Sequence, residues 1–147
     1  FFTKTVLPTF LKQKSGRVVF VSSVAGLLGT QYRASYSAAK AAIHMWANSL
    51  RAEVSKDGVE VSVVFPGFVK TNVSFNALNG EGKPQGHQDE AIENGLDADV
   101  FAQRVVEALM AGEEYVVVGG KKEQLGVLVS RLSPSLLYKM IRKTKVK

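Results

Sequence analysis

Three residues of this chain have the types and the spacing to do proton chemistry. Ser23, preceded by Ser22, closes an apolar run, Tyr36 stands thirteen residues beyond Ser23, and Lys40 follows four residues later in the segment YSAAK. Positions four apart share a helix face, so a phenol and an ammonium would lie one above the other. A phenol, with a reference pKa of about 10, is a poor base near neutrality. An ammonium one turn away favours the phenolate by direct charge interaction. Bringing a phenol to pH 7 takes about 4 kcal/mol of differential stabilisation in all. A serine hydroxyl on a neighbouring loop can hold the same substrate oxygen. That places an acid/base and an electrophilic stabiliser on one carbonyl or alcohol oxygen.

Each of these residues also has a plainer reading. Ser22 and Ser23 could simply cap a strand end; the register with Tyr36 and Lys40 gives Ser23 the catalytic role and leaves Ser22 the capping one. Tyr32 lacks a lysine one turn onward and is expected on the substrate side or in packing. Gly26 and Gly29 read as loop glycines with unusual backbone angles. His44 and His87 lie far apart without ligand spacing and the chain has no cysteine, so no metal centre is expected. The absent cysteines also rule out disulfide staples and fit a reducing compartment.

The elements that must position the triplet follow from hydrophobic periodicity and breakers. Residues 1–13 have helical spacing, with Pro8 expected to kink the helix or confine it to one side, and Lys14-Ser15-Gly16 ends it. Arg17 to Val21 (RVVFV) is a β-branched run, predicted as a strand buried on both faces. Ser22 to Ala34 is a loop, and Ser35 to about Lys56 a long helix free of glycine and proline. Its stripe Ile43, Trp46, Ala47, Leu50 and Val54 is expected in the core. Val59 to Phe65 is a second strand stopped by Pro66-Gly67, and residues 68–96 form a long irregular connection. Asp97 is the expected N-cap of a helix over Ala98 to Ala111, whose apolar face is Val100, Phe101, Val105, Ala108 and Leu109. Tyr115 to Val118 is a short strand, and residues 121–147 read as one or two amphipathic helices broken near Ser133-Pro134-Ser135. Alternating strands and helices imply βαβ units and a parallel sheet, with the ligand crevice beyond the carboxyl ends of the strands.

At those ends the sequence resembles a known family. GRVVFVSSVAG, then YSAAK at the stated offset, then VSVVFPGFVKT is similar to the short-chain dehydrogenase/reductase family over nearly all of the chain up to Gly119. The resemblance implies a Rossmann-type three-layer α/β sandwich with a parallel sheet, and a nicotinamide cofactor, NAD or NADP. It implies that Tyr36 is the general acid/base and also borders the cofactor, that Lys40 favours the phenolate and hydrogen-bonds the nicotinamide ribose, and that Ser23 orients the substrate oxygen. A cationic nicotinamide ring would add to the effect of the lysine. Pro66, Gly67, Val69 and Thr71 would line the nicotinamide and its nearby phosphate, while the stretch from Phe68 onward would serve as the substrate lid. Ser23, Phe68 and Tyr32 are the expected substrate contacts. The family's glycine-rich phosphate turn, NAG-type strand end and cofactor discriminator would lie upstream of Phe1. Its catalytic asparagine would fall just before that residue. The chain alone is therefore expected to be inactive, with the N-terminal nucleotide-binding half missing. The resemblance also implies a homodimer or homotetramer built on the long helix, whose Ala38, Ala39, Ala41 and Ala42 allow close approach.

Charge separates the chain into two parts. Residues 1–130 hold thirteen basic and thirteen acidic residues, so the whole surplus of +6 sits in Arg131, Lys139, Arg142, Lys143, Lys145 and Lys147. A neutral body argues against a nucleic-acid groove, and a basic tail carrying Leu, Val, Tyr, Met and Ile could close the substrate pocket, dock on an anionic membrane surface or meet a protein. No apolar run approaches the ~20 residues of a membrane span. The expected organisation is an oxidoreductase domain over residues 1–120, with a lid at 68–96 and a tail at 121–147, in a cytoplasmic or peripherally membrane-associated protein. The apolar lid residues Phe68, Val73, Phe75, Ala77 and Leu78 favour a hydrophobic substrate, and TNVSFNAL resembles members associated with lipid-type ketones, some of them membrane-bound. The reaction expected is interconversion of a carbonyl and a secondary alcohol. The alternatives are a silent Rossmann relative that binds a nucleotide or a partner, a membrane-surface module built on the tail, and a nucleotide-sugar epimerase or dehydratase, for whose usual larger substrate domain there is little room.

Overall fold

The computed structural model describes residues 2–143; Phe1, Lys145 and Lys147, named above, lie outside the described residues. Helix α1 (Phe2–Gln13) leads into strand β1 (Gly16–Val21), a single 3-10 turn (Val24–Gly26), helix α2 (Ala34–Val54) and strand β2 (Val59–Pro66). The long connection contains one short helix, α3 (Glu90–Glu93), before α4 (Ala98–Met110), strand β3 (Tyr115–Val118), and helices α5 (Lys121–Leu132) and α6 (Pro134–Lys143). Helix α1 runs unbroken across Pro8. The tail breaks at Ser133, the C-cap of α5, with Pro134 at the first turn of α6, where its missing N–H is one that no helix could satisfy.

The three strands form one parallel sheet in the order β1-β2-β3, with Val18 opposite Val61, Phe20 opposite Val63, and Val64 opposite Val116. Alternate residues of β2 feed opposite faces, as strand pleating requires. Val59, Val61, Val63 and Phe65 join Ala47, Leu50 and Val54 of α2 with Leu7, Phe10 and Leu11 of α1 and Val127 and Leu137 of the tail helices. Val64, Val116 and Val118 pack on the other face against Phe101, Val105, Ala108 and Leu109 of α4. Val100 is left outside that cluster and exposed. Asp97 caps α4 as expected, its carboxylate accepting the N–H groups of Asp99 at 2.9 Å and Val100 at 3.3 Å.

Two expectations about burial are corrected. Strand β1 is not buried on both faces: Val19 and Val21 are exposed, Val21 by 57%, because the apolar face of α4 packs on β2 and β3. Strand β1 meets α4 through the Arg17 side chain, which donates to the Leu109 carbonyl. The outer edge of β1 has no strand partner among the described residues. Trp46 is also half in water rather than in the core; its ring sits edge-on to Phe20 at 5.2 Å, and only Ala47, Leu50 and Val54 of the stripe are fully buried.

His44 lies inside α2, edge-on to Phe65 at 4.9 Å and to Tyr115 at 5.8 Å. Asn48 Oδ1 accepts from Arg51 Nη1 at 2.9 Å, so the amide group of Asn48 must donate to His44 Nε2 at 3.0 Å. A proton on that nitrogen would set donor against donor. Burial, then the charges of Arg51 and Arg131, hold the histidine below its ordinary value of 6.5. The unfolded chain therefore takes up this proton first as pH falls, and folded stability drops below about pH 6.5. Thermal midpoints between pH 7.5 and 5.5 should fall less steeply for His44→Gln than for the native protein; identical slopes would show that His44 does not report.

Candidate active site

The groups singled out in the sequence meet where strands hand over to loops at the carboxyl end of the sheet. Ser22, buried, donates its hydroxyl to the Lys40 carbonyl at 2.8 Å and its backbone N–H to the Val64 carbonyl at 2.8 Å. Its work is the plain structural one: it fastens the end of β1 to the middle of α2. The ammonium of Lys40 returns the link, Nζ donating to the Val21 carbonyl at 3.2 Å. The same Nζ stands 5.8 Å from the centre of the Tyr36 ring. Two bonds that span 19 and 18 residues of sequence thus fix the lysine against the strand end, with the tyrosine one turn before it. Tyr36 itself is 44% exposed, so its phenol can meet a ligand.

Ser23 opens the 3-10 turn. Its Oγ accepts the Ala25 N–H at 3.1 Å and donates to the Pro66 carbonyl at 3.4 Å, which ties the first loop to the end of β2. Gly26 follows for a reason other than the one expected from sequence. Its backbone angle is an ordinary one, but a Cβ there would lie 2.8 Å from the carbonyl carbon of Lys40. Space, not conformational freedom, demands glycine, because the turn presses on the backbone of the helix that carries Tyr36. Nothing lies within 4 Å of the equivalent position on Gly29, and the structure gives no reason for that glycine.

Beyond β2, the Gly67 N–H donates to the Val118 carbonyl at 2.8 Å, and a Cβ on Gly67 would stand 2.9 Å from Gly119 Cα. Two backbones cross there without side chains. Phe68 and Val69 are half-buried and pair with the far end of the connection: the Leu96 N–H donates to the Phe68 carbonyl at 2.9 Å, and Val69 bridges Leu96. Thr71 is exposed, its Oγ1 accepting the Val73 N–H at 3.4 Å. The structure therefore gathers Ser23, Tyr36, Lys40, Pro66, Gly67, Phe68 and Val69 around the strand ends. It does not bring Tyr32 into packing: that residue is 93% exposed with a left-handed backbone, φ 61°.

Other residues at this end were not legible in the sequence. Glu123, in the first turn of α5, accepts the Phe68 N–H at 3.4 Å and lies beside Gly67 and Gly120. Arg33, just before α2, pairs with Asp89 of the long connection, Nη2 to Oδ2 at 3.2 Å. No motif links residues 56 positions apart, and a carboxylate one turn into a helix reads first as a dipole partner. Among the described residues no group of three or more His, Cys, Asp or Glu side chains could hold a metal ion.

Known proteins share this fold. Residues 1–81 match the family described as short chain dehydrogenase. A Drosophila melanogaster protein named dehydrogenase/reductase SDR family protein 7-like is 37% identical over 145 residues, 99% of this chain but 44% of that protein. A short chain dehydrogenase of Burkholderia cenocepacia, solved in complex with NADP, superposes with TM-score 0.75 at 22% identity over 97% of this chain and 53% of its own. One from Burkholderia phymatum, solved with NAD, gives 0.73 at 20% identity over 91% and 53%. The chain thus spans about half the length of the relatives it matches.

Proposed function

Because the chain belongs to the short-chain dehydrogenase family, we propose that it supplies the proton-handling half of an enzyme that interconverts a carbonyl and a secondary alcohol with NAD or NADP. The observation that carries this is the Lys40 ammonium, hydrogen-bonded to the end of β1 and 5.8 Å from the Tyr36 ring, on a helix held by Ser22. In the direction of carbonyl reduction Tyr36 gives its proton to the substrate oxygen; in the reverse direction the phenolate takes it back. Lys40 has three N–H donors, one of them directed at Val21 among the described contacts. It favours the phenolate by charge and can reach a ribose hydroxyl. The Ser23 hydroxyl, whose bond to Pro66 is long at 3.4 Å, turns to the substrate oxygen and polarises it.

The residues present fit part of a nicotinamide site. Gly67 and Gly119 pack backbone against backbone at the strand ends, and Pro66, Val69 and Thr71, in the same stretch of chain, are the residues that would line the nicotinamide ring. The cofactor, when bound, supplies or accepts the hydride. Phosphate-binding groups are expected from elsewhere in a longer polypeptide, and the chain alone is expected to be inactive; in support, it spans 44% of the Drosophila relative, and the outer edge of β1 has no strand partner among the described residues. Exposed Val73, Phe75 and Leu78 on the lid favour an apolar substrate. The exposed Ala38 and Ala42 along α2, continued by Met45, offer a face for a second copy.

The test is oxidation of NADH and of NADPH by the chain extended upstream to the length of its relatives, against hydrophobic ketones. Cofactor binding without turnover on any of them would favour a silent Rossmann relative.

A second reading concerns the tail, and its observation is an inverted pattern. Helix α5 turns Leu125, Leu128 and Leu132 toward water, Leu132 by 76%, and α6 adds Leu136 and Met140. The same helices carry Lys121, Lys122, Lys139, Arg142 and Lys143, all exposed. The Arg131 guanidinium turns instead onto the Tyr115 ring at 4.3 Å, and the one acid of these helices, Glu123, faces inward on Phe68. Exposed apolar side chains and cations on the same helices suit an anionic membrane surface. No helix among the described residues is long and apolar enough to cross a membrane. Replacing Leu125, Leu128 and Leu132 by serine should release the protein from vesicles containing phosphatidylserine by roughly tenfold or more, since each buried leucine contributes about 1.5–3 kcal/mol; unchanged sedimentation rejects surface docking.

A further inference from the structure

The connection between β2 and α4 is stitched together rather than slack. Gln88 is its hub: Oε1 accepts the Ser74 hydroxyl and the Phe75 N–H, the latter at 3.1 Å, and Nε2 donates to the Thr71 carbonyl at 2.8 Å. Ser74 is buried, and its hydroxyl oxygen accepts the Asp89 N–H at 3.1 Å. The Gly86 N–H closes the outer limb on the Phe75 carbonyl at 3.1 Å. Residues 71–89 are therefore built to move as one unit. That unit reaches the start of the Tyr36 helix through a charged pair. Asp89 Oδ2 lies 3.2 Å from Arg33 Nη2, and Oδ1 accepts from Gln85 Nε2 at 3.3 Å. Arg33 is the N-cap residue of α2, where Ser, Thr, Asp or Asn would normally close the helix, yet its side chain makes no capping bond. It grips the lid instead, three residues ahead of Tyr36.

We propose that the Arg33–Asp89 pair is the latch that sets the lid over the phenol of Tyr36, so that both are positioning residues touching neither substrate nor cofactor. The proposal rests on the dehydrogenase reading for its kinetic consequence, though not for its mechanical one. Both side chains are partly exposed, at 39% and 23%, and such pairs contribute little to global stability. No other hydrogen bond or ion pair joins residues 68–96 to residues 33–54 among the described residues, so the loss should appear there and not in the fold. Salt screens an exposed pair, which gives a readout that a packing role would not share.

The experiment uses the upstream-extended protein with Arg33→Gln, Asp89→Asn and the double variant. Each single change should raise substrate KM about fivefold, leave cofactor affinity and thermal midpoint within error, and make KM insensitive to salt. In the native protein, KM should climb toward the variants' value between low and high salt. The double variant should be no worse than either single one, as expected of partners. A glutamate-specific protease, applied without substrate, should cut after the exposed Glu81 several-fold faster in all three variants. Additive KM effects, or a native KM that ignores salt in an active enzyme, would overturn the latch. If no ketone is turned over, the carbonyl reading fails, and the proteolysis rates alone then decide: faster and non-additive cutting upholds the latch, unchanged cutting removes it.

Discussion

Tyr36→Phe in the upstream-extended protein should cost about 10²- to 10⁴-fold in kcat, the range that a positioned acid/base contributes, while cofactor affinity stays within about twofold. The argument is subtractive. The substitution removes one hydroxyl from a side chain that is half in water, so neither core nor helix is disturbed. Lys40 keeps its bond to the Val21 carbonyl and Ser23 its place beside Pro66. Only the atom that exchanges a proton with the substrate oxygen is gone. Steady-state kinetics beside a fluorescence titration of bound NADPH separates the two quantities. Unchanged turnover would show that another group handles the proton and that the constellation is misassigned.

Phe65→Ala should destabilise the fold by about 3–5 kcal/mol, the usual cost of deleting a buried aromatic ring. That is a large part of the ~5–15 kcal/mol that holds a typical domain together. Phe65 has no exposed surface; its ring is 4.5 Å from Tyr115 and 4.9 Å from His44, joining β2, β3 and α2 at the level of the site. The two residues that follow are Pro66 and Gly67, so the ring also anchors the crossing of Gly67 with Gly119. Urea midpoints should show the loss, and Phe65→Leu, which keeps much of the volume, should cost less than about 1.5 kcal/mol. A cost below about 1 kcal/mol for the alanine variant would mean that neighbouring side chains close the gap.

The elements were readable because period and punctuation agree along most of the chain. RVVFV lies between Gly16 and a pair of serines, and VEVSVVF between Gly58 and Pro66-Gly67, of which Pro66 forms the last strand position. Asp97 and Gly112 bracket α4 at the positions of a cap and a left-handed stop, φ 82°. The triplet was readable because a helix converts a spacing of four into a shared face. What misled was the assumption that apolar composition means burial. Val19, Val21 and Trp46 are as apolar as their buried neighbours, but burial depends on what covers them, and α4 lies over other strands. Gly26 shows the same limit: glycine in a loop suggests an unusual angle, whereas contact with the Lys40 backbone is a tertiary fact. Arg33 with Asp89, and Glu123 with Phe68, are contacts between distant segments that no local pattern encodes.

The open side of β1 has a consequence for handling. Along Gly16–Val21 the alternate N–H and C=O groups that point away from β2 have no strand partner among the described residues. Composition adds to this, with valines and a phenylalanine, one charge and no proline, which is the make-up of segments that recruit their own copies into stacked, insoluble sheets. Prepared by itself at high concentration, the chain should be limited by its colloidal behaviour before its chemistry can be assayed. The strand whose last carbonyl steadies the lysine is also where one molecule would begin to template the next.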